Sequence, residues 1–369
     1  ARQRDLTYDS PIYVDIDTKY QINGKEEEEN IKRVVIGRMP IMLRSEKCYL
    51  SNITPNERIK NGECSKDDGG YFIIRGKERV LVPQLRSVYN IPLVLEQKQG
   101  EKFKYIAEIR SMSEETGHSV LLKALFGSDE RTLVFCLPYI KDYIPIGIVF
   151  KALGYVEDKK IKDMIGLFCS KSSKYIKLIL RDSYICEEHT DGFKLFSEQI
   201  ENEDKKPNEI KNIWENMKSE DKKIWKNKMT QNKALKYIAN YSMHTLKDDE
   251  KINYAYQIVK NELFPHMGVT STIKEVVYFL GYIVNKLIST YIGNRKKDDR
   301  DDYKNKRVES SGVLCYELTR QLFKKYCSSI VTIIGKKKQN PDIMSIIFRL
   351  STITNGLKHC FSTGNWGVP

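Results

Sequence analysis

The hydrophobic pattern changes period once along these 369 residues, near residue 143, so no uniform architecture accommodates both halves. Before that point apolar residues alternate. In "KFKYIAEIR", residues 102–110, Phe103, Tyr105, Ala107 and Ile109 stand against Lys102, Lys104, Glu108 and Arg110, the mark of a strand buried on one face. "YFIIRGKERVLVP", residues 71–83, places two apolar runs around Arg75, Gly76 and Lys77 and predicts a hairpin. "SVLLKALFGSDERTLVFCLP" repeats the theme, with a turn at Gly127, Ser128 and Asp129.

After residue 143 the period is helical. "IPIGIVFKALG" has Pro145 near a helix start, apolar Ile146, Val149, Phe150 and Leu153, and Gly154 at the C-terminal cap. "KINYAYQIVKNELF" aligns Ile252, Tyr256, Val259 and Leu263. "TIKEVVYFLGYIVNKLISTYIG" aligns Ile273, Val276, Leu280, Val284, Leu287 and Tyr291, between a Thr272/Glu275 capping box and Gly293. Two further helices are expected, over 314–334 and from Asn340 and Pro341 to about Phe361. Residues 197–231 are charge-dense, with only Ile210, Ile213, Trp214, Met217, Ile224 and Trp225 to bury. They predict an inserted, loosely docked helical pair around Pro207 and Ser219. The fold class expected is α+β.

Lysine and arginine number 62 against 49 acidic residues, a net charge of +13 that suits a polyanionic partner as well as it suits a lysine-rich surface. Eight cysteines (Cys48, Cys64, Cys136, Cys169, Cys186, Cys315, Cys327, Cys360) fall singly and read as free thiols of a reducing, intracellular compartment. No apolar run reaches the roughly 20 residues a bilayer needs. The best candidate, 276–292, is interrupted by Asn285 and Lys286, so no membrane partner is expected.

The densest charged stretch is "NRKKDDRDDYKNKR", residues 294–307. Asp298, Asp299, Asp301 and Asp302 invite a metal reading, but a calcium loop counted from Asp298 would put Arg300 where an oxygen ligand belongs and Tyr303 where glycine belongs. Arg295, Lys296, Lys297, Arg300, Lys304, Lys306 and Arg307 compete as counterions, which favours a salt-bridge knot with one face toward phosphates. His118, His189, His244, His266 and His359 show no zinc spacing, and GxSxG, GxGxxG and GxxxxGK[ST] are absent. No catalytic set and no metal site is expected within the chain.

Both ends read as cut. The start, "ARQRDLTYDSPIYVDI", runs into a strand pattern without an initiator methionine, and the glycine-flanked turn of Gly364, Asn365, Trp366 and Gly367 has almost nothing on its far side.

Seven blocks in order carry a family likeness: "IGRMPIMLRSEKCYLS", "GECSKDDGGYFIIRGKERVLVPQ", "LPYIKDYIPIGIVFKALG", "NELFPHMG", "FLGYIVNKL", "RKKDDRDDYKNKRVESSG" and "TITNGLKHCFSTGNWG". Together they make the chain resemble the second-largest subunit of multisubunit DNA-dependent RNA polymerase, the eukaryotic polymerase II form more than the bacterial one. Only 197–231 departs clearly. The resemblance implies a protrusion domain of mixed sheet and helix, discontinuous over 1–90 and 308–363. A largely helical lobe, 91–307, is inserted in it, and 364–369 enters the fork beside the RNA–DNA hybrid.

It further implies one wall of the DNA cleft and a docking surface for initiation factors. The partners it implies are the largest subunit, the other polymerase subunits, template DNA and the RNA–DNA hybrid. Mg²⁺ serves the whole polymerase and Zn²⁺ lies in segments not present here, so this portion alone would be inactive. Lys358, Asn365 and Trp366 match the approach to the fork; Trp366 either anchors its turn, the favoured reading, or lies near nucleic acid. Arg300, Asp301, Lys306 and Arg307 match a recurrent stretch at the lobe-to-protrusion junction, as a structural network or as phosphate contacts.

Two readings compete with this one. The first is a free-standing basic nucleic-acid-binding or scaffold protein built from the same domain pair. The second is an autonomous nucleotidyltransferase centred on 298–302. Richness in lysine, isoleucine, asparagine and tyrosine suits an AT-rich genome, either a large DNA virus of eukaryotes, with the enzyme in virions and host cytoplasm, or a protist, with the enzyme in the nucleus.

Overall fold

A computed structural model describes residues 1–22, 25–98, 100–166, 173–181, 217–241, 248–268, 270–336, 346–347 and 351–367. Helices and sheets are both present, and the chain divides into two compact units, one of Ala1–Arg86 with Val308–Pro369 and one of Ser87–Arg307. The chain leaves the first unit through the short strand Gln84–Ser87 and returns through Lys306–Glu309, and these two strands pair.

In the first unit a long antiparallel ribbon, β1 (Asp9–Ile22) and β2 (Lys25–Pro40), places Asp9 opposite Pro40 and Ile22 opposite Lys25. Period-two alternation turns Ile12, Val14, Ile16, Val34 and Ile36 to one face. That face packs with Leu318 and Leu322 of the helix Ser311–Lys336 and with Ile353 and Leu357 of the helix Thr352–Thr363. Gly37 allows the close approach, since a Cβ there would lie 2.9 Å from Ile353. The expected hairpin forms from β3 (Phe72–Ile74) and β4 (Lys77–Arg79). Its central residues Arg75 and Gly76 have φ of 49° and 74°, the double left-handed geometry that matches strand twist. Phe72 meets Phe361 edge-on at 4.6 Å.

In the second unit five antiparallel strands form one sheet, running in space from Ile144–Pro145 through Leu133–Cys136, Ser119–Gly127 and Phe103–Met112 to Leu93–Glu96. They are β6 (Leu93–Glu96), β7 (Phe103–Met112), β8 (Ser119–Gly127), β9 (Leu133–Cys136) and β10 (Ile144–Pro145). Ala107, Ile109, Leu122, Ala124, Phe126 and Phe135 share a core with Val277, Leu280, Val284, Leu287 and Ile288 of the helix Ile273–Tyr291. The capping box at its start is present, with Thr272 N–H donating to Glu275 Oε2 at 2.8 Å. The short helix Ile146–Ala152 is buried at every residue, so it is a core element and not an amphipathic one.

Four details depart from the sequence expectations. The stripe through Ile252 and Leu263 is not one α-helix: Asp248–Gln257 widens into a π turn, Ile258–Glu262, so adjacent Ile258 and Val259 are both buried. The helix that begins at Ser219 runs 22 residues, Ser219–Asn240, past residue 231, the expected end of the insertion. That helix buries Thr230, Ala234, Leu235, Ile238 and Ala239 and leaves Ile224 65% exposed. The final helix does not run unbroken from 341, because Ser351 stands at a cap with φ −95° and ψ 21° before Thr352–Thr363. Residues 182–216, including Pro207, Ile210, Ile213 and Trp214, lie outside the described residues, as do Asn340 and Pro341. Among the described residues six cysteines are free thiols, and no helix is long and apolar enough to cross a membrane.

Candidate nucleic-acid interface

The charged stretch 294–307 lies against the edge of the five-stranded sheet, and Asp298 fixes it there. Asp298 N–H donates to Val94 O at 2.8 Å and its carboxylate accepts Val94 N–H at 2.9 Å, so one residue stands in for an extra strand beside β6. The same carboxylate meets Arg295 and, at 3.5 Å, Lys286, whose ammonium also donates to Pro92 O. Burial alone would raise the Asp298 pKa. The Arg295 hydrogen bond, the Val94 amide and the Lys286 charge outweigh it and hold the carboxyl below its usual range. Lys286 is pushed down by its own burial more than Asp298 lifts it. The signal for Lys286 was in the sequence: a charge inside an apolar helical stripe requires a buried partner.

All but one of the remaining cations have a partner as well. Lys297 reaches Glu96 at 2.8 Å, which raises the lysine and lowers the glutamate pKa, and Arg300 reaches Glu108 at 2.7 Å. Lys304 pairs with Asp302 at 2.7 Å, Lys306 with Asp301 at 3.5 Å, and the Arg307 guanidinium lies 4.9 Å from the Tyr89 ring centroid. Lys296 is exposed and makes no ion pair among the described residues. Glu96 and Glu108 sit on strands about 200 positions away in the chain, which is why the stretch read alone overstates its free positive charge.

These carboxylates do not form a metal-binding donor set. Asp298, Asp301 and Asp302 are each held by cations, Asp299 Oδ1 accepts Asp301 N–H at 2.9 Å, and no metal-ligating group of three exists among the described residues. The Mg²⁺ of a polymerase would therefore find no fitting ligands in this stretch. What the network does present is an open hollow of about 610 Å³, lined by Glu96, Lys98, Lys297, Asp299 and Arg300.

The other three candidates belong to the first unit. Lys358 lies 3.7 Å from Asp9, a carboxylate 5% exposed that Arg38 Nε also contacts. Asn365 is exposed. Trp366 anchors its turn: Nε1–H donates to Leu314 O at 3.1 Å and the ring meets Phe361 edge-on at 5.3 Å. Trp366→Phe is expected to cost about 1 kcal/mol by losing that hydrogen bond. An unchanged unfolding midpoint would show that the indole does not hold the turn.

A family model described as RNA polymerase beta subunit matches residues 1–355. A probable DNA-directed RNA polymerase II subunit RPB2 homolog of Invertebrate iridescent virus 6 is 36% identical over all of this chain and 30% of its own length. DNA-directed RNA polymerase II subunit 2 of Arabidopsis thaliana is 32% identical over all of this chain and 29% of its own length. Subunit RPB2 of Encephalitozoon cuniculi is 34% identical, again over all of this chain and 29% of its own. The chain thus spans about 30% of the length of these relatives. The match is continuous through both structural units, and on that ground the chain belongs to the RNA polymerase beta subunit family, in its second-largest-subunit branch.

Proposed function

We propose that this chain serves as the protrusion and lobe of a DNA-directed RNA polymerase second-largest subunit, with 1–90 and 308–363 as protrusion, 91–307 as lobe and 364–369 entering the fork. The division into two compact units at 86/87 and 307/308 supports the reading. In that role it forms a wall of the DNA cleft and a docking surface for initiation factors beside the largest subunit, and supplies no catalytic residue. Template DNA and the RNA–DNA hybrid are the nucleic acids it faces. The reading places the enzyme in the nucleus, or in virions and host cytoplasm if the source is viral. The observation that carries the proposal is the continuous family match over 1–355.

In the 294–307 stretch, Lys296 is the cation available to phosphate without loss of an ion pair among the described residues, Lys297 can exchange the exposed Glu96 carboxylate for one, and Arg300 the half-buried Glu108. Such contacts neutralise phosphates without reading bases. Weak, salt-dependent binding to duplex DNA and to an RNA–DNA hybrid is therefore expected. Changing Lys296, Lys297 and Arg300 to glutamine should reduce the slope of log affinity against log salt by roughly 0.9 for each phosphate no longer neutralised. Identical slopes for the two proteins would remove this stretch from the cleft wall.

A further inference from the structure

Residues 80–83 join β4 to the strand Gln84–Ser87 without belonging to either. Leu81 packs against the core of the first unit, while Val80 and Val82 are 68% and 67% exposed. That is strand alternation with one face covered and the other bare. Among the described residues, no backbone hydrogen bond joins 80–83 to other backbone; the Val82 carbonyl accepts only the Gln84 side-chain amide, at 3.1 Å. Leu85 and Val308, on the two paired strands that follow, are exposed as well.

Unpaired backbone groups between two strands, beside aliphatic side chains facing water, resemble the open edges that proteins ordinarily cover or charge. Aliphatic side chains give a phosphate nothing to pair with, whereas another strand would satisfy both the backbone and the apolar face. Relatives of this chain carry about 70% of their length outside the matched region, which is a source for that strand.

We infer that residues 80–82 accept an added apolar β-strand from the part of the polymerase subunit lying outside these 369 residues. The inference rests on the polymerase reading above. The strand pairs with the 80–82 backbone and seats its side chains on Val80 and Val82.

Hydrogen exchange at Val80, Leu81 and Val82 tests this, in the chain alone and in the chain assembled into polymerase. These amides are expected to exchange at open-chain rates alone and about 100-fold more slowly in the assembly. Val82→Asp should leave the unfolding midpoint of the chain unchanged and weaken assembly about tenfold, while Val82→Ile should retain it. Assembly with the three amides still unprotected overturns this inference alone. Failure to assemble at all overturns the polymerase reading and the inference with it. Protection that rises with the chain's own concentration, without polymerase, assigns the edge to a second copy and overturns the inference.

Discussion

Asp298→Ala is expected to destabilise the Ser87–Arg307 unit by about 3 kcal/mol or more, because it removes one partner of a buried ion pair. Lys286, 10% exposed, would be left with only the Pro92 carbonyl, and the Val94 amide would lose its acceptor. Asp298→Asn keeps an acceptor for Val94 and should cost less. Urea denaturation followed through peptides of this unit measures the effect, and a loss below about 1 kcal/mol would show that the clip is not structural. The sign with pH is fixed. The folded carboxyl titrates below its unfolded value, so its contribution is complete above the ordinary carboxylate range near pH 4 and disappears as pH falls through the folded value. The gap between wild type and Asp298→Ala should therefore be full at neutral pH and narrow below about pH 4.

Gly69→Ala should cost about 2–4 kcal/mol in the other unit, whereas Gly70→Ala should cost about 1 kcal/mol. Both glycines have positive φ, 72° and 82°. At Gly69 a Cβ would lie 2.6 Å from the Leu43 carbonyl and 2.9 Å from Arg44 Cβ, while at Gly70 nothing stands within 4 Å. The carbonyl cannot retreat freely, since it accepts Gly70 N–H at 3.0 Å and Leu43 N–H donates to Tyr71 O at 2.8 Å. Asp67 tightens the same loop by accepting Gly69 N–H at 2.9 Å and the Tyr71 hydroxyl. Equal thermal midpoints for the two variants would contradict this account.

The features legible in the sequence were those whose cause is local. The Arg75-Gly76 turn, the Thr272 capping box and the strand through Phe103 and Ile109 need only neighbouring residues to be specified, and each is found where its residues place it. The π turn was not legible, since one extra residue per turn leaves no mark in a short apolar stripe. Nor was the true extent of Ser219–Asn240, because its charged first half masks a packing face confined to the second. The site was partly legible. Arg295 and Asp298 could be paired on paper, but Lys297 with Glu96 and Arg300 with Glu108 depend on strand register far away in the chain. Trp366 as a turn anchor followed from its glycine neighbours, whereas its acceptor, Leu314, did not.

The division of the first unit into two segments has a consequence for synthesis. Val34, Ile36, Phe72 and Ile74 leave the ribosome early, but the helices that cover them are encoded after an intervening run of about 220 residues. At roughly 5–20 residues per second the nascent ribbon waits on the order of 15–65 s, its apolar face bare, before Leu318 and Leu357 emerge. The inserted unit, continuous in sequence, can complete its own core during that interval. Synthesis therefore finishes the insert before the domain that holds it, and the early ribbon is the segment of this chain with the greatest need of a chaperone.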